Sequence, residues 1–290
     1  MTRRLICLIL CLLLCPVIAG AESPNPVMAE AGSIGKVVHT YDSETLKYTI
    51  ERFGLTRELC YLTRVWVEEP ARQIRKITSN WKKDLKAPHV LARSLKGSAL
   101  AVNGSGYVSP RFPEIPDDYP GESADYYFTP LGSLTVTDGQ LLRNLEDVTY
   151  NGLTLDEDGI HMVIDADNET VLASQPVQTW AFYPQCTVML DNVELLPEEW
   201  NFAEMRAARN LIARIDKHTY VFLTASSKRA GGISLYTAAA FFRDHFQAEW
   251  VYNLDGGTST ALVYRLKDKK NYHYQVEGGA KVVDIMAFTE

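Results

Sequence analysis

The sequence predicts an α+β fold, with a mixed, largely antiparallel sheet, a few packed helices and a single domain. Many short stretches alternate apolar and polar residues and are separated by Asp-Gly and Asn-Gly turns. Only two stretches carry a helical signal. No segment of about 20–50 residues repeats.

The chain opens with Arg3 and Arg4, followed by an apolar run from Leu5 to Ile18 and the small residues Ala19-Gly20-Ala21. Residues 1–21 are therefore expected to be a signal peptide, with Glu22 beginning a secreted or envelope-associated protein. The run is short of the roughly 20 residues that a spanning helix needs. An uncleaved anchor is the alternative reading. A lipoprotein is the weaker one, since Leu14 stands where a small residue before Cys15 is wanted. Residues 22–40 are rich in Pro, Ser, Gly and Ala and read as a flexible spacer.

From residue 41 to 290 the pattern is that of a folded domain. Strands are expected at Lys47–Arg52, Tyr61–Val67, Ser98–Asn103, Leu134–Thr137, Gly159–Ile164, Trp180–Leu190, His218–Thr224 and Trp250–Leu254, with turns at Asp138-Gly139 and Asp158-Gly159. Asp84–Leu95 is moderately helical, and Pro88 confines the helix to one side of itself. In Ser234–Phe246 the residues Leu235, Ala238, Phe242 and Phe246 form one apolar stripe. Ser234 is a suitable N-cap behind Gly231 and Gly232.

Composition narrows the function. The net charge is −7, and removal of Arg3 and Arg4 takes it to −9. With no basic run left, nucleic acid is not an expected partner. Only Cys60 and Cys186 remain after the signal peptide, in no metal-binding pattern. A single Cys60–Cys186 disulfide and two separate buried thiols both stay open.

Three segments carry polar residues at strand ends. In Asn253-Leu254-Asp255-Gly256-Gly257-Thr258-Ser259 an apolar strand runs into glycines, hydroxyls and a carboxylate, all suited to close contact with a ligand. Asn103-Gly104-Ser105-Gly106 is a similar strand end. Arg209 opens an apolar strand, and a guanidinium suits a phosphate or carboxylate. The plain alternatives are two hairpin turns and a surface arginine.

AVNGSGY (residues 101–107) and NLDGGTSTALV (253–263) resemble strand-end signatures of the phosphodiester glycosidase family. WAFYPQCTVMLDN (180–192), GSLTVTDGQL (132–141), the helix before the Asp-Gly-Gly segment and Arg209 fall in the same order as in that family. The resemblance spans roughly Leu95 to Tyr264. Ser105 replaces a glycine, Asn210 and Ala213 replace the usual Thr and Gly, and Thr224-Ala225-Ser226-Ser227 stands where many members carry Asp-Gly-Arg.

The resemblance implies a hydrolase that cleaves the glycosidic link of a sugar-1-phosphodiester. Asp255, Arg209 and Asn103 are then the catalytic candidates. Gly104, Asn253, Gly256, Gly257, Thr258 and Ser259 are the substrate-binding ones. Arg209 and the Gly256 and Gly257 amides are expected to hold the phosphate, Asp255 to handle protons, and Asn103 to orient the substrate. The expected partner is a sugar-phosphate or polysaccharide. No cofactor is expected, and a divalent cation on Asp255 stays open without clustered ligands. A non-catalytic sugar-phosphate or polysaccharide binding module is the alternative, and a structural envelope protein is a third reading.

Overall fold

Strand pairing in the computed structural model sorts the β-elements into three larger sheets and a two-stranded ribbon, all antiparallel among the described residues. The described residues are 32–81, 83–108, 129–130, 132–145, 148–182, 186–198, 200–266 and 271–290. The expected signal peptide lies outside them. All the described strands and helices belong to one unit, Ser33–Glu290.

The largest sheet has eight strands, in the order Lys36–Asp42, Leu46–Leu55, Glu58–Val67, Thr219–Ala225, Arg209–Arg214, Trp250–Asn253, Thr187–Leu190 and Val193–Glu194. One five-stranded sheet runs Tyr272–Glu277, Ala261–Arg265, Ser98–Asn103, Asp284–Thr289 and Ile74–Thr78. The other runs Gly159–Asp167, Thr149–Asp156, Gln178–Trp180, Leu134–Thr137 and Gln140–Asn144. The expectation of one sheet is therefore corrected to several. Alternation marks which segments are strands but not which partners they choose.

Layering explains the burial. Tyr48, Ile212, Phe222 and Tyr252 of the eight-stranded sheet pack against Leu100, Leu153, Trp180 and Met286 of the five-stranded sheets. The opposite face of the large sheet, with Leu62, Leu211, Val221 and Val251, is covered by Leu235, Ala238 and Phe242 of the helix Leu235–His245. A shorter helix, Pro88–Ser94, sets Leu91 and Ala92 against Ala101, Ile285 and Ala287. Arg209–Arg214 is covered on both faces, so every residue in it is buried, the polar Arg209, Asn210 and Arg214 included.

Local rules account for most boundaries. Ser234 caps the long helix by accepting the Thr237 amide at 3.1 Å. Pro88 sits in the first turn of its helix, where a missing N–H costs nothing. Asp138-Gly139 closes a hairpin with both residues at positive φ, 50° and 72°. Two expectations need correction, and the question left open about the two cysteines closes on separate buried thiols. The strand Lys36–Asp42 begins inside the stretch read as a flexible spacer, held there by pairing with Leu46–Leu55. Trp180–Leu190 is two strands in two different sheets, Gln178–Trp180 and Thr187–Leu190, since pairing partners and not alternation decide the sheet a strand joins. Cys60 and Cys186 do not form a bridge; they are buried in separate core clusters.

Candidate active site

Three strand ends converge between the eight-stranded sheet and one five-stranded sheet. The segment after Asn253 is not a hairpin, because its flanking strands, Trp250–Asn253 and Ala261–Arg265, belong to different sheets. The chain crosses from one layer to the other at Asp255. The crossing is tied down by backbone bonds from the Leu254 amide to Asn210 O and from the Gly257 amide to Ala208 O, both 2.8 Å. A third runs from the Asp255 amide to Gly104 O at 3.2 Å. The Asn103, Arg209 and Asp255 segments are therefore neighbours.

Beneath the crossing lies a buried polar network. Asn103 Nδ2 donates to Asp255 O at 2.6 Å, while its Oδ1 accepts from Asn210 Nδ2 at 3.0 Å and the Ala261 amide at 2.9 Å. Thr224 Oγ1 donates in turn to Asn210 Oδ1 at 3.0 Å. Asn103, Asn210 and Thr224 are fully buried. Asn103 thus fixes the crossing from below, and its side-chain bonds are all internal.

A second buried feature supports the Gly104 turn. Asp284 is fully buried; its Oδ1 accepts the Ser105 amide at 2.7 Å and its Oδ2 lies 3.2 Å from Lys76 Nζ. Lys76 Nζ also donates to Thr179 O at 2.6 Å. Gly104 has to be glycine, because a Cβ there would run into Asp284 Oδ1 and the Trp180 ring.

The Asp255 carboxyl stands above these supports. Oδ1 accepts the Gly256 amide at 2.8 Å, and the carboxyl also bonds to the Ser259 side chain. Burial pushes its pKa up to about 7, with the Asp284 charge adding to the rise, while the Ser259 and Gly256 bonds pull it back. Tyr107, also bonded to Ser259, has its phenol raised by burial and then by Asp255. A carboxyl that titrates near neutrality can give or take a proton at working pH.

The sequence profile of the phosphodiester glycosidase family matches residues 96–289, which takes in all three strand ends. The chain belongs to this family. A search of curated proteins found no match. Among solved structures, the zebrafish N-acetylglucosamine-1-phosphodiester alpha-N-acetylglucosaminidase catalytic domain, auto-inhibited by its pro-peptide, aligns at TM-score 0.65 and 15% identity, covering 88% of this chain and 86% of that one. A hypothetical protein from Synechocystis aligns at TM-score 0.53 and 14% identity, covering 88% and 64%. At these identities the two structures speak for the fold.

Within this phosphodiester glycosidase fold, the two glycine amides expected to hold the phosphate are already bonded, and Arg209 is turned inward with its Nε buried and unpartnered. The Gly256 amide donates to Asp255, and the Gly257 amide to Ala208. The anion nest expected of the two is corrected accordingly. Gly257, at φ 57°, shapes the turn. Arg209 is buried, its Nη2 donating to the Phe202 and Met205 carbonyls at 2.8 and 3.0 Å, with the guanidinium 4.4 Å from the Phe202 ring centre. Burial lowers its pKa to about 10, so it stays charged at neutral pH. Asn253 is buried with Nδ2 towards Cys186 Sγ at 4.0 Å. Ser259 is buried behind Asp255, whereas Thr258 is exposed.

An open cleft of about 340 Å³ borders the crossing, lined by Ala208, Gly257 and Thr258 on one side and Ser226–Arg229 on another. Asp255, Arg209 and Asn103 do not line it, but Gly257 and Thr258 of the Asp255 segment do. The loop that follows the strand Thr219–Ala225 is folded around Glu58. The Glu58 carboxylate accepts the Ser226 hydroxyl at 2.6 Å and the amides of Ala230 and Gly232 at 2.7 and 3.0 Å. Burial acts to raise its pKa, but these bonds, with the Leu59 amide, bring it down to about 2. Glu58, Lys76, Tyr107 and Asp284 were missed by sequence reasoning. Each acts on residues distant in the chain, which no local pattern marks, although Tyr107 closes the Gly-rich segment AVNGSGY.

No group of three or more His, Cys, Asp or Glu among the described residues could hold a metal ion. Among the described residues no helix is long and apolar enough to cross a membrane.

Proposed function

We propose that this protein is an exported phosphodiester glycosidase that hydrolyses the bond between an anomeric carbon and a phosphodiester, in an envelope or extracellular glycoconjugate. The observation that carries the reading is Asp255. It is a carboxyl with a pKa near 7, held on the family's Asp-Gly-Gly crossing by the Asn103–Asn210–Thr224 network. The C1–O bond breaks, its electrons pass to the phosphate oxygen, and water adds at C1 to give free sugar and a phosphate monoester. Protonated Asp255 supplies the proton to the leaving oxygen, and Ser259 and the Gly256 amide stabilise the carboxylate that remains.

Asn103 and Arg209 act from beneath as positioning residues, holding the crossing and the segment before it. Export rests on the residues of the N-terminal 21-residue segment. The similarity to the zebrafish enzyme makes an N-acetylglucosamine-1-phosphodiester the first substrate to try. Purified protein should release free N-acetylglucosamine from its methyl phosphodiester, and Asp255→Asn should lower kcat by on the order of 10²-fold or more. Equal turnover by both proteins would remove Asp255 from the chemistry. Thr224-Ala225-Ser226-Ser227, standing where many members carry Asp-Gly-Arg, favours a second reading, a binding module for the same ligand. Ligand-induced thermal stabilisation without any turnover would establish it.

A further inference from the structure

Hydrolysis of a phosphodiester requires something to hold one negative charge, and of the groups expected to do so Arg209 is buried, with its Nε unpartnered, and the two glycine amides already donate within the fold. Arg209 donates to two carbonyls, and the Gly256 and Gly257 amides donate to Asp255 and Ala208. The cleft beside the crossing offers other cations. We propose that Lys228 and Arg229 form the phosphate-holding wall of the substrate cleft, and that buried Glu58 is the positioning residue that presents them. The proposal rests on the glycosidase reading for its substrate and on the cleft for its geometry.

Four observations support it. Lys228 and Arg229 are exposed and line the same cleft as Gly257 and Thr258 of the crossing. Neither makes an ion pair with another described residue, so their charges are available to a ligand. The charged side chains lining the cleft are Lys228, Arg229 and Glu277, a net +1 that matches the single charge of a diester. Glu277 opposes a second negative charge, which disfavours a monoester dianion. Long exposed cations are usually mobile, but here their backbone is fixed. The Arg229 amide lies 3.3 Å from both Glu58 oxygens, and Ala230, Gly232 and Ser226 complete the grip on that carboxylate. Arg206 Nε adds a bond to Ala230 O at 3.0 Å.

The test compares wild type with the Lys228→Ala/Arg229→Ala double variant, whose side chains are exposed and not needed for folding. The probes are the methyl phosphodiester of N-acetylglucosamine and the neutral methyl N-acetylglucosaminide, with binding read by calorimetry. The double variant should bind the diester ten- to hundredfold more weakly, and the neutral glycoside equally well. Added salt should weaken diester binding to wild type much more than to the variant. Unchanged diester affinity in the double variant overturns the proposal, as does the absence of diester binding by wild type. Turnover separates this idea from the glycosidase reading. If wild type hydrolyses the diester and the double variant keeps the same KM, the phosphate is held elsewhere and the glycosidase reading stands. If wild type binds without turnover and the variant loses binding, the anion wall stands and the glycosidase reading falls. Glu58→Gln, assayed where it is folded, should raise KM several-fold with Lys228 and Arg229 intact, and Glu58→Asp should recover part of that loss. A Glu58→Gln protein that is less stable but has the wild-type KM contradicts the positioning role.

Discussion

Replacing Asp255 by Asn should make the protein more stable at alkaline pH while making it a poorer catalyst. The folded-state pKa of about 7 lies above the ordinary aspartate value of about 3.9. A carboxyl raised in this way adds stability fully only below its unfolded pKa, and that stability is lost as pH rises through the folded pKa. The window therefore runs from about pH 4 to about pH 7. The difference of roughly three pH units corresponds to a ceiling of about 4 kcal/mol, of which about 2–3 kcal/mol falls between pH 5 and pH 8. Asn is close to isosteric with Asp; its Oδ1 can still accept the Gly256 amide, and it carries no charge to desolvate. Denaturant melts of wild type and Asp255→Asn at pH 5 and pH 8 should show the variant gaining on wild type by about 2 kcal/mol at the higher pH. A stability difference that does not change with pH would mean that the carboxyl titrates normally, and the argument for its role as proton donor would fail.

Other perturbations follow from the supports of the site. Gly104→Ala forces a methyl against Asp284 and the Trp180 ring and should cost about 1–3 kcal/mol or more in a chemical melt, with activity falling alongside. Asn103→Ala leaves the Asn210 amide, the Ala261 N–H and the Asp255 carbonyl without their partner. It should cost about 2–4 kcal/mol and lower kcat in whatever variant remains folded, whereas a wild-type kcat would show that the network does not position Asp255. Glu58, with its pKa near 2, contributes stability above its ordinary value of about 4.3 and loses it as pH falls towards 2. Glu58→Gln should accordingly abolish part of the acid-induced loss of stability, seen as a shallower fall in Tm between pH 4.5 and pH 2.5.

Much of the fold was legible because its signals are local. Ser234 caps its helix, Pro88 opens another, and Asp138-Gly139 closes a hairpin, each within a few residues of the feature it governs. The same Asp-Gly chemistry at Asp255 looks identical locally, yet there the strands on either side join different sheets. Which strands pair is decided by contacts across the whole chain, and alternation alone does not encode it. The candidate site divides in the same way. Asp255, Asn103 and Arg209 stand at strand ends beside small or polar residues, and the fold brings their segments together. Their roles were less visible, since burial turns Arg209 and Asn103 inward, and sequence carries no mark of that. Lys76 sits in a short strand that reads as half-exposed, and only the fold places it beside Asp284. Glu58 looks like a solvated charge in a turn until the loop Ser226–Gly232 closes over it.

The central claim is that this chain breaks the bond between the anomeric carbon and the phosphodiester oxygen. Hydrolysis of the methyl phosphodiester of N-acetylglucosamine in ¹⁸O-labelled water, with mass analysis of both products, reads that bond directly. The account predicts one ¹⁸O in the released sugar and none in methyl phosphate. Label in the phosphate, or no release of sugar at any pH between 5 and 8, would contradict it.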